Sequence, residues 1–277
     1  MSRLTQSGRF TVLAIDHGEV LRRHFDDVGI DSTDSNIERS KLAVVGRLSP
    51  GCSAVLVDLG LAQHPEFLRA KVESDIGLVI SVDESNYDTL RHPPPSNPDY
   101  GLFEGAKQVG ADALKVVVYY DRASRDTDVR LQRVASYVEM SKKVGLPLLV
   151  EPLPIRPEDE VEWPVALIAR DMADAGAAVI KVPLPGQSEQ ANQALAERIT
   201  ELIHPVPWIV LSSGVAFPEF LVRLRGAMAG GASGFAAGRS IWGDSITRTT
   251  DGQAMDEAQR RLQLAIDATV DSPPPVN

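Results

Sequence analysis

Eight short runs of apolar and β-branched residues, spread along the whole chain, constrain this sequence more than any other feature. They are FTVLAID (10–16), SAVLVDL (53–59), GLVISVD (77–83), ALKVVVYY (113–120), PLLVEPL (147–153), AVIKVPL (178–184), PWIVLSS (207–213) and SGFAAG (233–238). Most are continuous rather than alternating, the pattern of parallel strands covered on both faces. Helical patterns fill the gaps, clearest at 127–145, 163–177, 188–204 and 216–231. Gly145 and Gly176 stand at the expected stops, Pro164 and Ser188 at the expected starts. Strand then helix, eight times over, predicts a single α/β domain, a (β/α)8 or TIM barrel, whose usual size is about 250 residues. A doubly wound open sheet is disfavoured, because no G-x-G-x-x-G follows the first run.

The barrel is expected over 10–270, with 1–9 as a loose tail and the Pro-rich 271–277 disordered. Two segments depart from even spacing: a short helical stretch at 65–71, and a long Pro-bearing one at 84–101 that reads as a rim loop or a rigid lead-in to a helix.

Composition removes several classes of partner. A net charge of −10 and an isoelectric point near 5.0 argue against nucleic acid or an anionic membrane surface, both of which attract basic faces. Any anionic ligand must therefore be held by locally placed cations or backbone amides. One cysteine, Cys52, excludes an intramolecular disulfide, and the start lacks the apolar core of a secretory signal, so a cytoplasmic protein is expected. His17, His24, His64, His92 and His204 form no metal-ligand spacing, and neither a metal nor a diffusible cofactor is expected. His17 could line a site beside Asp16, although capping and surface histidines are commoner. The sparse tryptophans read as fillers of core or rim.

In such a barrel the active groups sit at the C-terminal strand ends. Those ends hold Asp16, Asp58, Asp83, Lys115, Glu151, Lys181, Ser212 and Ser213, and finally Gly238 with Arg239. Lys115 and Lys181 are the unusual members, because each lies within an apolar run with no obvious path to water. A buried lysine is costly unless paired or neutral, and burial beside another ammonium favours the free amine that attacks a carbonyl. Two lysines and a carboxylate from runs 4, 5 and 6 are the parts of Schiff-base chemistry: a nucleophile, a cation to tune it and a proton carrier. The bland alternative, lysines that merely salt-bridge aspartates, accounts for one such residue more readily than for two. After the last two runs, Gly238, Arg239 and Ser240 can offer amides and a guanidinium to a phosphate or sulfonate, although glycines there also simply permit tight turns.

Taken together, TVLAIDHGEVL, SAVLVD, ALKVVVYY, LLVEPL, VIKVPLPG, PWIVLSSGV and GASGFAAGRSIWGD resemble the class I, Schiff-base aldolases of the tagatose-1,6-bisphosphate aldolase family. Within that group the chain is similar to the sulfofructosephosphate aldolases, and AIDHG with GRSIW link it more loosely to archaeal-type class I fructose-bisphosphate aldolases. The resemblance runs from Phe10 to Asp244. It implies that Lys181 forms the Schiff base, that Glu151 is the general acid/base and that Asp16 and Lys115 complete the catalytic cluster. It also implies that Ser212, Ser213, Gly214, Gly238 and Arg239 hold a substrate phosphate. The activity implied is cleavage of a phosphorylated ketose, sulfofructose 1-phosphate or tagatose or fructose 1,6-bisphosphate, into dihydroxyacetone phosphate and a three-carbon aldehyde. Two departures bear on the substrate: Pro183 stands where the family carries an acid after Lys-Val, and Asp16 is followed by His17 and Gly18 rather than by Gln and Arg. Arg122, Arg125 and Arg156 are candidates for a far anionic end. The expected partner is a phosphorylated or sulfonated sugar, with a homo-oligomer as the other class kept open. Other Schiff-base lyases, transaldolase-like enzymes, a metal-dependent class II aldolase and a non-catalytic sugar-phosphate sensor are the alternatives.

Overall fold

The computed structural model describes residues 2–64, 67, 75–82, 99–155 and 164–272. Eight parallel strands close into a barrel in chain order, one from each apolar run. They are β1 (Phe10–Ala14), β2 (Ala54–Asp58), β3 (Gly77–Ser81), β4 (Ala113–Tyr120), β5 (Leu148–Pro154), β6 (Val179–Val182), β7 (Trp208–Leu211) and β8 (Gly234–Ala237). β1 closes the cylinder by pairing with both β2 and β8. The longest ladder joins β4 to β5, from Leu114 opposite Leu148 to Tyr120 opposite Pro154.

Helices cover the outside. The larger ones are α1 (Glu19–Asp27), α2 (Asp34–Leu48), α4 (Tyr100–Gln108), α5 (Thr127–Val144), α6 (Val165–Asp174), α7 (Glu189–Ile203), α8 (Phe217–Ala229) and α10 (Gly252–Val270). Two short ones, α3 (Leu59–Gln63) and α9 (Arg239–Trp242), sit on the rim. The expected punctuation is used. Ser188 accepts a hydrogen bond from the Ala191 amide at the start of α7, and Gly145 ends α5 in the left-handed conformation at φ 77°. Pro164 takes the N-cap position of α6. α1, α2 and α10 were not singled out in the sequence. α1 and α2 both fall between β1 and β2, where one crossover helix is the usual number, and α10 follows the last strand.

Side chains alternate between the helix layer and the interior, so parity fixes who shares the centre. The lower interior is apolar, with Val12, Leu56, Val79, Leu149 and Ile209 in one cluster that Leu4 joins. Within 1–9, expected as a loose tail, Leu4 and Arg9 are instead packed against the barrel, which corrects that expectation. Leu4 is 2% exposed, and Ser53 Oγ donates to its carbonyl at 2.8 Å. A side chain on Gly77 would run into the Arg3 carbonyl. The physical reason is that the open lower end of the barrel needs an apolar plug, and a lone leucine in a polar stretch supplies it. Arg9 completes the seal, donating to the Ala232 and Ser272 carbonyls at 3.1 and 3.0 Å.

Asp83, Arg156, Trp163, residues 273–277 and, apart from Phe67 and residues 99–101, the two unevenly spaced segments lie outside the described residues. No helix among the described residues is long and apolar enough to cross a membrane. Leu4→Ala is expected to lower unfolding stability by about 2–5 kcal/mol, the range for emptying a buried leucine site, as read from the denaturant midpoint.

Candidate active site

Inward parity runs 113, 115, 117 along β4, 149, 151, 153 along β5 and 179, 181 along β6, while Asp16 continues the set 10, 12, 14 of β1. Lys115, Glu151, Lys181 and Asp16 thus form the layer directly above the apolar floor. The backbone aims these four side chains at one another, and the distances confirm it. Lys181 Nζ donates to Glu151 Oε2 at 2.9 Å. Lys115 Nζ lies 3.4 Å from the same oxygen and 3.0 Å from Asp16 Oδ2. The order Asp16, Lys115, Glu151, Lys181 alternates in sign. Each ammonium is 3–7% exposed and each carboxylate 7–10%.

Burial would push the Glu151 carboxyl up, but Lys181 and Lys115 outweigh it and hold the group below its ordinary range. Asp16 behaves alike: burial opposes ionisation, and Lys115, then His17 and Lys181, overcome it, so its carboxyl lies well below the usual range.

At the opposite wall the turn after β7 meets the start of α9 after β8. Ser213 and Gly214 both take left-handed backbone, at φ 51° and 73°, a conformation uncommon for serine and typical of strained functional loops. A side chain on Gly214 would sit 2.8 Å from the Arg239 guanidinium carbon, so the glycine lets Arg239 lie over the turn. Gly238 caps α9, whose first residue is Arg239. Ser240 does not face the ligand space: its hydroxyl donates to the Val215 and Ser212 carbonyls at 2.6 and 3.4 Å, tying the two rim loops together. Arg239 also borders a cleft of about 700 Å³ between α1, α8 and α10, which neither Lys181 nor Glu151 lines.

Other expected groups go elsewhere. Asp58 is diverted: Lys41 Nζ donates to it at 2.6 Å, and its other oxygen caps α3 by accepting from the Leu61 amide. Arg122, a candidate for the far anionic end, donates to Asp171 at 2.8 Å on α6, because Tyr120 and the turn after it face the helix layer. Arg125 is exposed on the same turn.

Lys41 was missed, yet it had a signal. It occupies the buried stripe of α2 with Ile37, Val44, Val45 and Leu48, where a charge is out of place. His17 stands beside Asp16, its imidazole held neutral at about 4 by burial and by Arg239, Lys181 and Lys41, which together outweigh the pull of Asp16. Among the described residues, Lys41, Lys115, Lys181 and Arg239 thus lie around Asp16, Glu151 and Asp58 in a chain of net charge −10. Among the described residues no group of His, Cys, Asp and Glu could hold a metal ion.

Residues 10–244 match the family model described as DeoC/LacD family aldolase. The chain belongs to this family. As a DeoC/LacD aldolase it is a carbon–carbon lyase. One relative, from Archaeoglobus fulgidus, is named a 2-amino-3,7-dideoxy-D-threo-hept-6-ulosonate synthase and is 28% identical, over 87% of this chain and 83% of that protein. Another, the tagatose 1,6-diphosphate aldolase 2 of Enterococcus faecalis, is 25% identical over 89% and 83%. Among solved structures, a Schiff-base-forming fructose-1,6-bisphosphate aldolase superposes with a TM-score of 0.66 at 21% identity, covering 95% of this chain and 97% of that one. At that identity the likeness is one of fold.

Lys115→Met tests the charge row. Carboxyls held low in the folded state stabilise above their unfolded pKa of about 4, and that stability is lost as pH falls through the lower folded values. Without Lys115 those folded values rise, so the variant is expected to lose less stability on acidification, and its deficit against the wild type, followed by circular dichroism, should be largest near pH 7 and shrink in acid. Stability at pH 7 should fall by about 3–5 kcal/mol, because the buried Asp16 loses the ammonium at 3.0 Å while Glu151 keeps only Lys181.

Proposed function

We propose that this aldolase cleaves a phosphorylated ketose through a Schiff base on Lys181, releasing dihydroxyacetone phosphate and an aldehyde. The observation that carries the reading is the hydrogen bond from Lys181 Nζ to a carboxylate it shares with a second buried lysine.

Lys181 must lose a proton before it can attack the ketone carbon, and Glu151 at 2.9 Å is placed to take it. That transfer keeps the buried row neutral, since one ammonium and one carboxylate disappear together. Attack gives a carbinolamine, and Glu151 returns the proton to the departing hydroxyl as water leaves and the iminium forms. The iminium draws the electron pair of the C3–C4 bond while Glu151, a carboxylate again, takes the C4 hydroxyl proton, and the aldehyde departs; Glu151 then gives that proton to C3 of the enamine left on Lys181. Water hydrolyses the resulting iminium to free dihydroxyacetone phosphate and the amine. Lys115 stabilises Asp16 and Glu151 throughout and keeps both available as acceptors.

The phosphate fits the turn of Ser212, Ser213 and Gly214 with Gly238 and Arg239, where a guanidinium with no salt bridge among the described residues lies beside strained backbone. Sulfofructose 1-phosphate and tagatose or fructose 1,6-bisphosphate belong to the substrate class so defined. The named activity of the Enterococcus faecalis relative agrees with it. A second reading, an enzyme that joins or transfers carbon units through the same lysine, is favoured by the synthase name of the Archaeoglobus fulgidus relative.

Borohydride reduction in the presence of dihydroxyacetone phosphate is expected to leave a stable mass increment on the peptide bearing Lys181, absent in Lys181→Ala. Glu151→Gln is expected to cut kcat by roughly 100- to 10,000-fold. An increment on another residue, or none, would overturn the assignment. An increment without release of dihydroxyacetone phosphate from ketose phosphates would favour the second reading.

A further inference from the structure

Among the described residues, His17 carries a buried polar atom beside Asp16 that the fold leaves unsatisfied. Its Nδ1 is buried and has no hydrogen-bond partner, although the side chain as a whole is 16% exposed. Buried ring nitrogens are ordinarily paired, so an orphan beside reacting groups asks for an explanation. Loose packing does not supply one, because the ring is held on two sides. The edge of Trp242 meets it at 5.4 Å and 84°, with the indole itself fixed by Nε1 donating to the Ala14 carbonyl at 3.0 Å. On the other side, a side chain on Gly238 would lie 2.8 Å from the imidazole Cε1, so the glycine gives the ring its seat.

The orphan nitrogen points along Asp16. It lies 3.9 Å from Asp16 Oδ1, too far for a direct hydrogen bond, while the other oxygen, Oδ2, is engaged by Lys115 at 3.0 Å. An oxygen about 2.8 Å from each of Nδ1 and Oδ1 would see them at an angle of about 90°, an acceptable geometry for a hydroxyl. An ionised carboxylate only accepts, so the hydroxyl hydrogen goes to Asp16 and the imidazole must present Nδ1–H to the hydroxyl oxygen. A phosphate oxygen does not suit this place, since it would press against the carboxylate. With the ketone carbon on Lys181 from β6 and the phosphate beside β7 and β8, the group left to reach β1 is the hydroxyl on the carbon next to the ketone.

We infer that His17 is a substrate-positioning residue: its Nδ1 and Asp16 Oδ1 together grip the free hydroxyl of the dihydroxyacetone phosphate half. The neutrality of His17 agrees with this role, since one N–H is what the grip requires. The inference rests on the Schiff-base reading above.

Two donors separate the possibilities. Dihydroxyacetone phosphate has the hydroxyl, and hydroxyacetone phosphate lacks it while keeping the ketone and the phosphate. The concentration of each that half-saturates borohydride trapping on Lys181 is measured for the wild type, His17→Phe and His17→Asn. The wild type is expected to favour dihydroxyacetone phosphate by roughly 10- to 100-fold, the worth of hydrogen bonds that include a charged partner. His17→Phe should shrink that ratio several-fold or more, and His17→Asn, whose amide nitrogen reaches the same point, should restore part of it. Equal trapping of both donors by the wild type would overturn the inference, as would a loss in His17→Phe that is the same for both. If His17→Phe does not fold, the wild-type ratio together with His17→Asn decides. Absence of any adduct in the wild type would instead overturn the Schiff-base reading itself.

Discussion

Two ammonium groups inside a closed barrel are tolerable only when carboxylates meet them at hydrogen-bond distance, and that requirement organises the centre of this molecule. Parity along β4, β5 and β6 carries Lys115, Glu151 and Lys181 inward on the same layer, and the end of β1 adds Asp16. A single residue of register slip in any of these strands would send a charge into the helix layer and leave its partner unpaired. The apolar floor below and the rim loops above are therefore constrained by the same alternating row.

The row also separates two duties that a lone lysine would have to combine. Glu151 faces both lysines, so it can take a proton from one while the other still holds it in place. Asp16 meets Lys115 through Oδ2 at 3.0 Å, while its Oδ1 lies 3.9 Å from His17 Nδ1. In the proposed mechanism, chemistry at Lys181 and recognition at β1 are coupled through Lys115, which touches both Glu151 and Asp16.

Much of this was legible because charge in an apolar run is conspicuous. Lys115, Glu151 and Lys181 could be found from composition within short segments, and the eight runs announced the barrel by being continuous on both faces. What was hidden depended on partners far away in sequence. Asp58 looked equivalent to the other strand-end acids until Lys41, on the buried stripe of α2, was seen to claim it. Arg122 looked free until Asp171 of α6 took it. Leu4 looked like one apolar residue in a polar leader, because nothing local indicates that a barrel has an open lower end to fill.

The seal beneath the barrel reaches beyond packing. Arg9 bridges β1's approach and the residue after α10, so positions 9 and 272 meet on the side away from the lysines. A linker that runs from residue 272 to a point ahead of the Leu4 plug would close the chain into a ring and keep the floor filled. New ends could then be opened in a helical connection, and a label or carrier attached at 272 would sit on the side of the floor, away from the lysines.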